Sequence, residues 1–218
     1  MALKELKQKP EKRTASRELR RKQLISAAMD SISKRGFSGT TLRHVTQKAK
    51  VAHGVVNYHF KTKEALYDAT LGYLAQEHFD LWSKLLSEAG DDPAQQLVAI
   101  LRADFDKKIC THKKISVWFA FWGQAKYRPN YLKIHNRYDN QRHEVIERIC
   151  SELIQDGGYL NLVPDRAVRV VEAATDGAWL NILLYPDSTD AQMCYEDSLK
   201  TLELLFPKHF PLSDASTH

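Results

Sequence analysis

Cysteine is scarce in this sequence: three in 218 residues, at positions 110, 150 and 194. No two have the close spacing of a zinc knuckle or redox pair, and an odd number cannot all pair within one chain. A reducing, cytoplasmic setting follows, with the cysteines serving as small buried apolar side chains. Long apolar runs are missing as well. The longest, Val117 to Trp122, falls far short of the ~20 residues that cross a bilayer. The charged start MALKELKQKPEKR has no signal-peptide character. Neither secretion nor membrane insertion is expected. Also absent are GxSxG, HExxH, P-loop and dinucleotide fingerprints, and the nine histidines lie without metal-ligand spacing. Catalysis, a metal centre and a bound cofactor are therefore not expected.

What is present is charge, and it is unevenly placed. Residues 1–70 hold 16 Lys+Arg against 6 Asp+Glu, a net of +10, whereas residues 71–218 carry −5. A positive end beside an acidic remainder marks a polyanion-binding module. At this level nucleic acid and an anionic membrane surface both fit.

The pattern reads as all-α. No stretch of alternating Val, Ile, Thr and aromatic residues is bounded by hairpin turns. Prolines punctuate about nine helices: Asp92-Pro93 is a cap followed by proline at the first helical position, and Pro129, Pro164, Pro186 and Pro207 mark further boundaries. Ser16 to Arg35 sets Leu24, Ile25, Ala28, Met29 and Ile32 on one stripe, with Gly36 placed as a left-handed C-cap. Residues 1–15 are expected to be a basic flexible arm, 16–70 a DNA-binding domain, and 71–218 a ligand-binding and dimerisation domain.

The segment from Thr40 to Leu66, TTLRHVTQKAKVAHGVVNYHFKTKEAL, carries the strongest local signal. Leu42, Val45 and Ala49 make the inner face of one short helix, Lys50-Val51 a corner, and Ala52 to His59 a second helix closed by Val56 and Phe60. This is a helix-turn-helix, whose second helix fits a major groove about 12 Å wide. Thr62 stands at an N-cap beside Lys63, a helix start that attracts phosphate. Residues 20–70 resemble the DNA-binding domain of the TetR family, through Gly36-Phe37, Thr40-Thr41, Val51, Gly54, Phe60, Lys61, Lys63 and Leu66. Lys50 departs from the family's usual glycine and Asn57 from its common tyrosine. The resemblance implies that Arg43, His53, Gly54, Val55 and Asn57 read base edges, while Thr41, Tyr58, His59 and Lys63 hold phosphates. Packing is the alternative role for Val55, Tyr58 and His59.

Beyond the head, aromatics concentrate at Phe105, Trp118, Phe119, Phe121, Trp122 and Tyr127, with Trp179 further on. Core packing is one reading of them. A second resemblance, carried by DFD at 104–106, WFAFW at 118–122, Tyr127 to Leu132 and DGAWL at 176–180, is to the BetI subfamily of choline-responsive repressors. It implies a quaternary-ammonium site built from Phe105, Trp118, Phe121, Trp122, Asp176 and Trp179, because such a cation is held by aromatic faces. The family resemblance also implies a homodimer joined by the last two helices as a four-helix bundle, their stripes including Val168, Val171, Ala178, Ile182, Leu199, Leu202 and Leu205; an ordinary core within the chain is the alternative, and some of these residues must serve it too. The function implied is a repressor of glycine betaine synthesis genes, released from a palindromic duplex operator by choline or a related small-molecule inducer. Another lipophilic cation or hydrophobic effector is the alternative, and a membrane-surface helical protein is the rival of a different class.

Overall fold

The computed structural model describes the backbone of residues 5–211, and side chains from residue 16 onward. Among the described residues there are nine α-helices, one 3₁₀ turn and no strand. The helices are α1 (Glu5–Gly39), α2 (Leu42–Ala49), α3 (His53–Phe60), α4 (Lys63–Glu88), α5 (Pro93–Asp104), α6 (His112–Trp122), α7 (Pro129–Gly157), α8 (Pro164–Leu184) and α9 (Ala191–Leu205); the turn is Ala125–Tyr127. None of these helices is long and apolar enough to cross a membrane. The chain forms two compact units, Met1–Tyr73 with Ser116–Leu132, and Leu74–Ile115 with Lys133–His218.

The backbone is helical from Glu5, across most of the stretch expected as a flexible arm, with Pro10 inside the helix. Residues 116–132 group with the N-terminal unit, beyond the expected boundary at residue 70. Phe121 explains why. It is 1% exposed, with Phe37, Tyr67 and Tyr131 around it at centroid distances of 5.8, 6.3 and 5.2 Å. Burying an aromatic of that size contributes roughly 1.5–3 kcal/mol, which ties the segment to the head. Arg128 reinforces the tie, lying over Phe37 and Tyr131 at 5.1 and 5.5 Å.

Within the first unit, α1 buries Leu24, Ile25, Ala28, Met29 and Ile32 as its spacing requires. Its regular path breaks at Gly36, where φ is 70° and ψ is 177°, values that glycine tolerates. Thr41 caps α2 with a capping box: its Oγ1 accepts from His44 N–H at 3.3 Å, and its own N–H donates to His44 Nδ1 at 3.2 Å. Gln23 Nε2 on α1 donates to Ala49 O at 2.7 Å, satisfying a carbonyl at the end of α2.

The second unit has its own core, including Trp82, Leu97, Ile100, Ile146, Leu153, Val168, Val171, Leu202 and Phe206. Asp92 caps α5 through Ala94 N–H at 2.9 Å, with Pro93 at the first helical position. Cys150 and Cys194 are buried and Cys110 half-buried, all as free thiols. The stripes expected to pair with a second chain are largely spent inside this unit: Val168, Val171, Ile182 and Leu202 are buried, and Ala178, Leu199 and Leu205 half-buried. The apolar side chains that α8 and α9 leave exposed are Val170, Leu180, Leu184, Met193 and Leu204.

Candidate nucleic-acid interface and effector residues

The α2–α3 corner is built by Lys50. Its φ of 52° and ψ of 47° are left-handed, as a turn that usually takes glycine demands, and its N–H donates to Gln47 O at 3.2 Å. Val56 and Phe60 are buried below α3, fixing the rotation of the helix about its axis. That rotation turns His53, Gly54, Asn57 and Tyr58 outward, all exposed, with Tyr58 at 69%. Val55 and His59 are half-buried, Arg43 is exposed on α2, and Thr41 is exposed at the start of that helix. Apolar below and polar above, α3 presents a short projecting ridge. The exposure of Tyr58 removes the alternative that it serves only to pack.

Not every side chain stands as the sequence suggests. Thr41 and His44 are engaged with one another in the capping box, so His44 is held by a local backbone bond. Thr62 caps α4 through Ala65 N–H at 3.0 Å, as its position predicts. Lys63 Nζ lies 5.1 Å over the Tyr67 ring, whose hydroxyl donates to Thr40 O at 3.2 Å. Burial pushes the Tyr67 phenol up to about 12, so that hydroxyl stays a neutral donor. Burial, then Arg17, Arg21 and Arg20, hold His59 below the usual histidine value and favour its neutral form. The three arginines escaped the sequence reading; their i, i+3, i+4 spacing was the available signal, and only the structure sets them beside Tyr58.

The six effector residues divide between the units. Trp118, Phe121 and Trp122 belong to the first, and Phe105, Asp176 and Trp179 to the second. Trp118 and Trp122 lie 6.1 Å apart. Phe121 is enclosed in the head core by the three rings packed around it, a setting that explains its place in the aromatic run by packing. Phe105 faces Tyr195 at 6.2 Å and lines a cavity of about 350 Å³ with Arg102, Asp106, Ala191 and Gln192. That wall carries one guanidinium and one carboxylate, Arg102 and Asp106, which offset each other in charge.

Trp179 sits in a different setting. It is 4% exposed and its Nε1 donates to Asp104 O at 3.0 Å. The Asp104 carboxylate is 1% exposed and meets Arg142 Nη2 at 2.5 Å and His78 Nε2 at 2.7 Å. Burial alone would raise the Asp104 pKa, but Arg142 and His78 hold it below the usual carboxylate range. Arg142 also faces Glu172 at 3.6 Å, and His143 Nδ1 lies 3.2 Å from the same carboxylate. Although Asp176 keeps surface exposure, burial of its carboxyl pushes the pKa up to about 6; Arg142 opposes the rise, and Asp104, Asp139 and Glu172 add to it. Asp104, Glu172, Asp139 and Asp176 thus share one electrostatic neighbourhood with Arg142, His78, His143 and, through Asp139, His135.

Comparison with known proteins gives consistent findings. Residues 24–70 match the family model for bacterial regulatory proteins of the tetR family, and residues 93–207 match that for the BetI-type transcriptional repressor, C-terminal. The HTH-type transcriptional regulator BetI of Burkholderia thailandensis is 32% identical over 167 residues, spanning 75% of this chain and 82% of that protein. Its counterpart in Paraburkholderia xenovorans is 28% identical over 193 residues, or 87% and 94% of the two chains. Among solved structures, a transcriptional regulator of Pseudomonas aeruginosa PAO1 superposes with a TM-score of 0.76 at 22% identity, covering 88% of this chain and 93% of that one. A regulator of Saccharomonospora viridis in complex with choline gives 0.71 at 17%, covering 84% and 95%. At these identities the structural likeness concerns the fold.

Proposed function

The chain belongs to the TetR family of regulators and carries a BetI-type repressor C-terminal region, and from that premise we propose that it represses glycine betaine synthesis genes and is induced by choline or a related quaternary ammonium. The observation that carries DNA reading is the ridge of His53, Gly54, Asn57 and Tyr58 above buried Val56 and Phe60. Arg43 suits guanine, Asn57 adenine, and the methyls of Val55 a thymine methyl. Tyr58, His59 and Lys63 border the ridge as phosphate contacts, and Thr41 lends its position at the start of α2.

One short helix reads few base pairs, so the working form is a homodimer on a palindromic operator, with its heads about 34–36 Å apart or at a multiple of that. Val170, Leu180, Leu184, Met193 and Leu204 supply the apolar face for that pairing. The protein acts in the cytoplasm, where its duplex lies.

For the inducer, the carboxylates around Arg142 and the indole of Trp179 supply the groups that a trimethylammonium cation needs, negative side chains and an aromatic ring. Asp176 is the counter-charge with most to gain. The choline complex of the Saccharomonospora viridis regulator supports the choice of ligand. Phe105, between Arg102 and Asp106, favours a second reading in which a neutral effector fills the 350 Å³ cavity. Induction follows from reciprocal linkage: a ligand that favours a head separation different from the operator's lowers DNA affinity by the factor by which DNA lowers ligand affinity. A gel-shift titration tests both halves. Choline should release the operator where an uncharged isostere does not; equal action of the two compounds would discard the cation site and leave the DNA reading intact.

A further inference from the structure

We propose that the face of α1 bearing Arg17, Arg20 and Arg21 is a second DNA-contacting surface, a clamp for the sugar-phosphate backbone that borders the groove entered by α3. The inference rests on α3 being the groove-reading helix and adds a contact that none of the α2–α4 residues provides. Spacings of three and four residues set the three arginines on one side of α1. Two of them lie over rings of α3: the Arg17 guanidinium is 5.8 Å from the Tyr58 centroid, and that of Arg21 is 4.7 Å from Phe60. Arg20 Nη1 donates to Gln23 Oε1 at 2.6 Å, and Gln23 in turn bonds to Ala49 O at the end of α2. The cations are therefore positioned against both helices of the reading motif.

Among the described residues no carboxylate lies within ion-pair distance of any of the three, and Arg17 and Arg20 are exposed. Like charges gathered this closely repel one another, and all three add to the burial that holds the imidazole of His59 toward its neutral form. Such an assembly is stable in company with an anion, and the planar guanidinium fork matches a phosphate's two oxygens. Stacking over Tyr58 and Phe60 orients the forks in advance and leaves their N–H edges to the ligand. A lipid surface is the weaker occupant, because a helix lying on a membrane needs an apolar face. On the described part of α1, Leu19 is the one large hydrophobic side chain left exposed.

The test uses the full chain, a triple variant with Arg17→Gln, Arg20→Gln and Arg21→Gln, and a matching triple lysine variant. Each is titrated against the duplex the parent prefers, an unrelated duplex, and vesicles containing phosphatidylserine, over about 0.05–0.3 M salt. The glutamine variant should lose affinity for both duplexes alike, with sequence preference unchanged. The slope of log K against log salt should fall by about 0.9 for each arginine that meets a phosphate, about 2.7 per head. Lysine should restore the slope. Arg17→Gln alone should remove about 0.9 per head, which serves if the triple variant does not fold. An unchanged slope overturns the clamp, as does a loss confined to vesicles, which would assign the arginines to lipid. The unrelated duplex keeps the result separate from the reading of α3: a clamp defect appears there, whereas a failure of base readout appears only in the preference.

Discussion

Asp176 offers a sharp test of the cation site, because its carboxyl titrates where a change of pH is gentle to the protein. With a pKa of about 6, its ionised fraction rises from about one tenth at pH 5 to about nine tenths at pH 7. A quaternary ammonium that recognises only the ionised form then gains about tenfold in affinity across that range, ~1.4 kcal/mol. At pH 6 its binding should release protons. The sign for stability runs the other way. The folded pKa is raised above 3.8, so ionising Asp176 is a cost that is absent below about pH 4, grows toward pH 6 and is constant above it. Asp176→Asn should therefore melt higher than the parent at pH 7 and level with it at about pH 3.5, while binding choline more weakly at pH 7. The assay is calorimetry with choline at about pH 5, 6 and 7, in two buffers of different ionisation enthalpy. His78, Glu172, Asp139, Asp104 and Arg142 share the network, so the comparison that decides is parent against Asp176→Asn. If both show the same pH dependence and proton release, the carboxyl does not face the ligand and the reasoning fails.

Arg43→Ala should cost roughly 1–3 kcal/mol on the preferred duplex and relax preference at one base pair, as read by gel-shift titration across single-base variants. Lys50→Gly should stabilise the protein by up to about 1 kcal/mol in a urea melt, since glycine adopts a φ of 52° without strain; a lower midpoint would show that the lysine is not strained. Thr41→Val removes the α2 cap and should cost about 1 kcal/mol in the same melt. Arg142→Ala leaves the Asp104 carboxylate buried with only His78 beside it and should destabilise by roughly 3–5 kcal/mol, whereas an effect under 1 would mean the pair is solvated.

Local chemistry was readable in advance where a residue acts on its neighbours in the chain. The Asp92-Pro93 start of α5 and the Thr62 cap follow from residues within one turn of each other, whereas the outward face of α3 comes from the family resemblance and includes Val55, which is half-buried. Contacts between distant segments were not. Asp104, His78 and Arg142 lie 26 and 38 residues apart, and no periodicity links an aspartate in one helix to an arginine two helices later. Phe121 shares an aromatic run with Trp118 and Trp122, so sequence alone groups the three; only packing reveals that Phe121 fills the head core. Phe105 is likewise one residue from Asp104 yet turns to Arg102 and Tyr195, because successive positions at a helix end point in different directions.

The central claim is that α3, projected by its corner and repeated by twofold symmetry, reads a duplex. Selecting bound duplexes from a randomised pool with the purified protein at about 0.15 M salt tests it most directly. The account predicts enrichment of an inverted repeat whose half-site centres lie about one helical turn apart or a multiple of it, weakened by Arg43→Ala. A pool that stays random, or a motif without inverted symmetry, would contradict it.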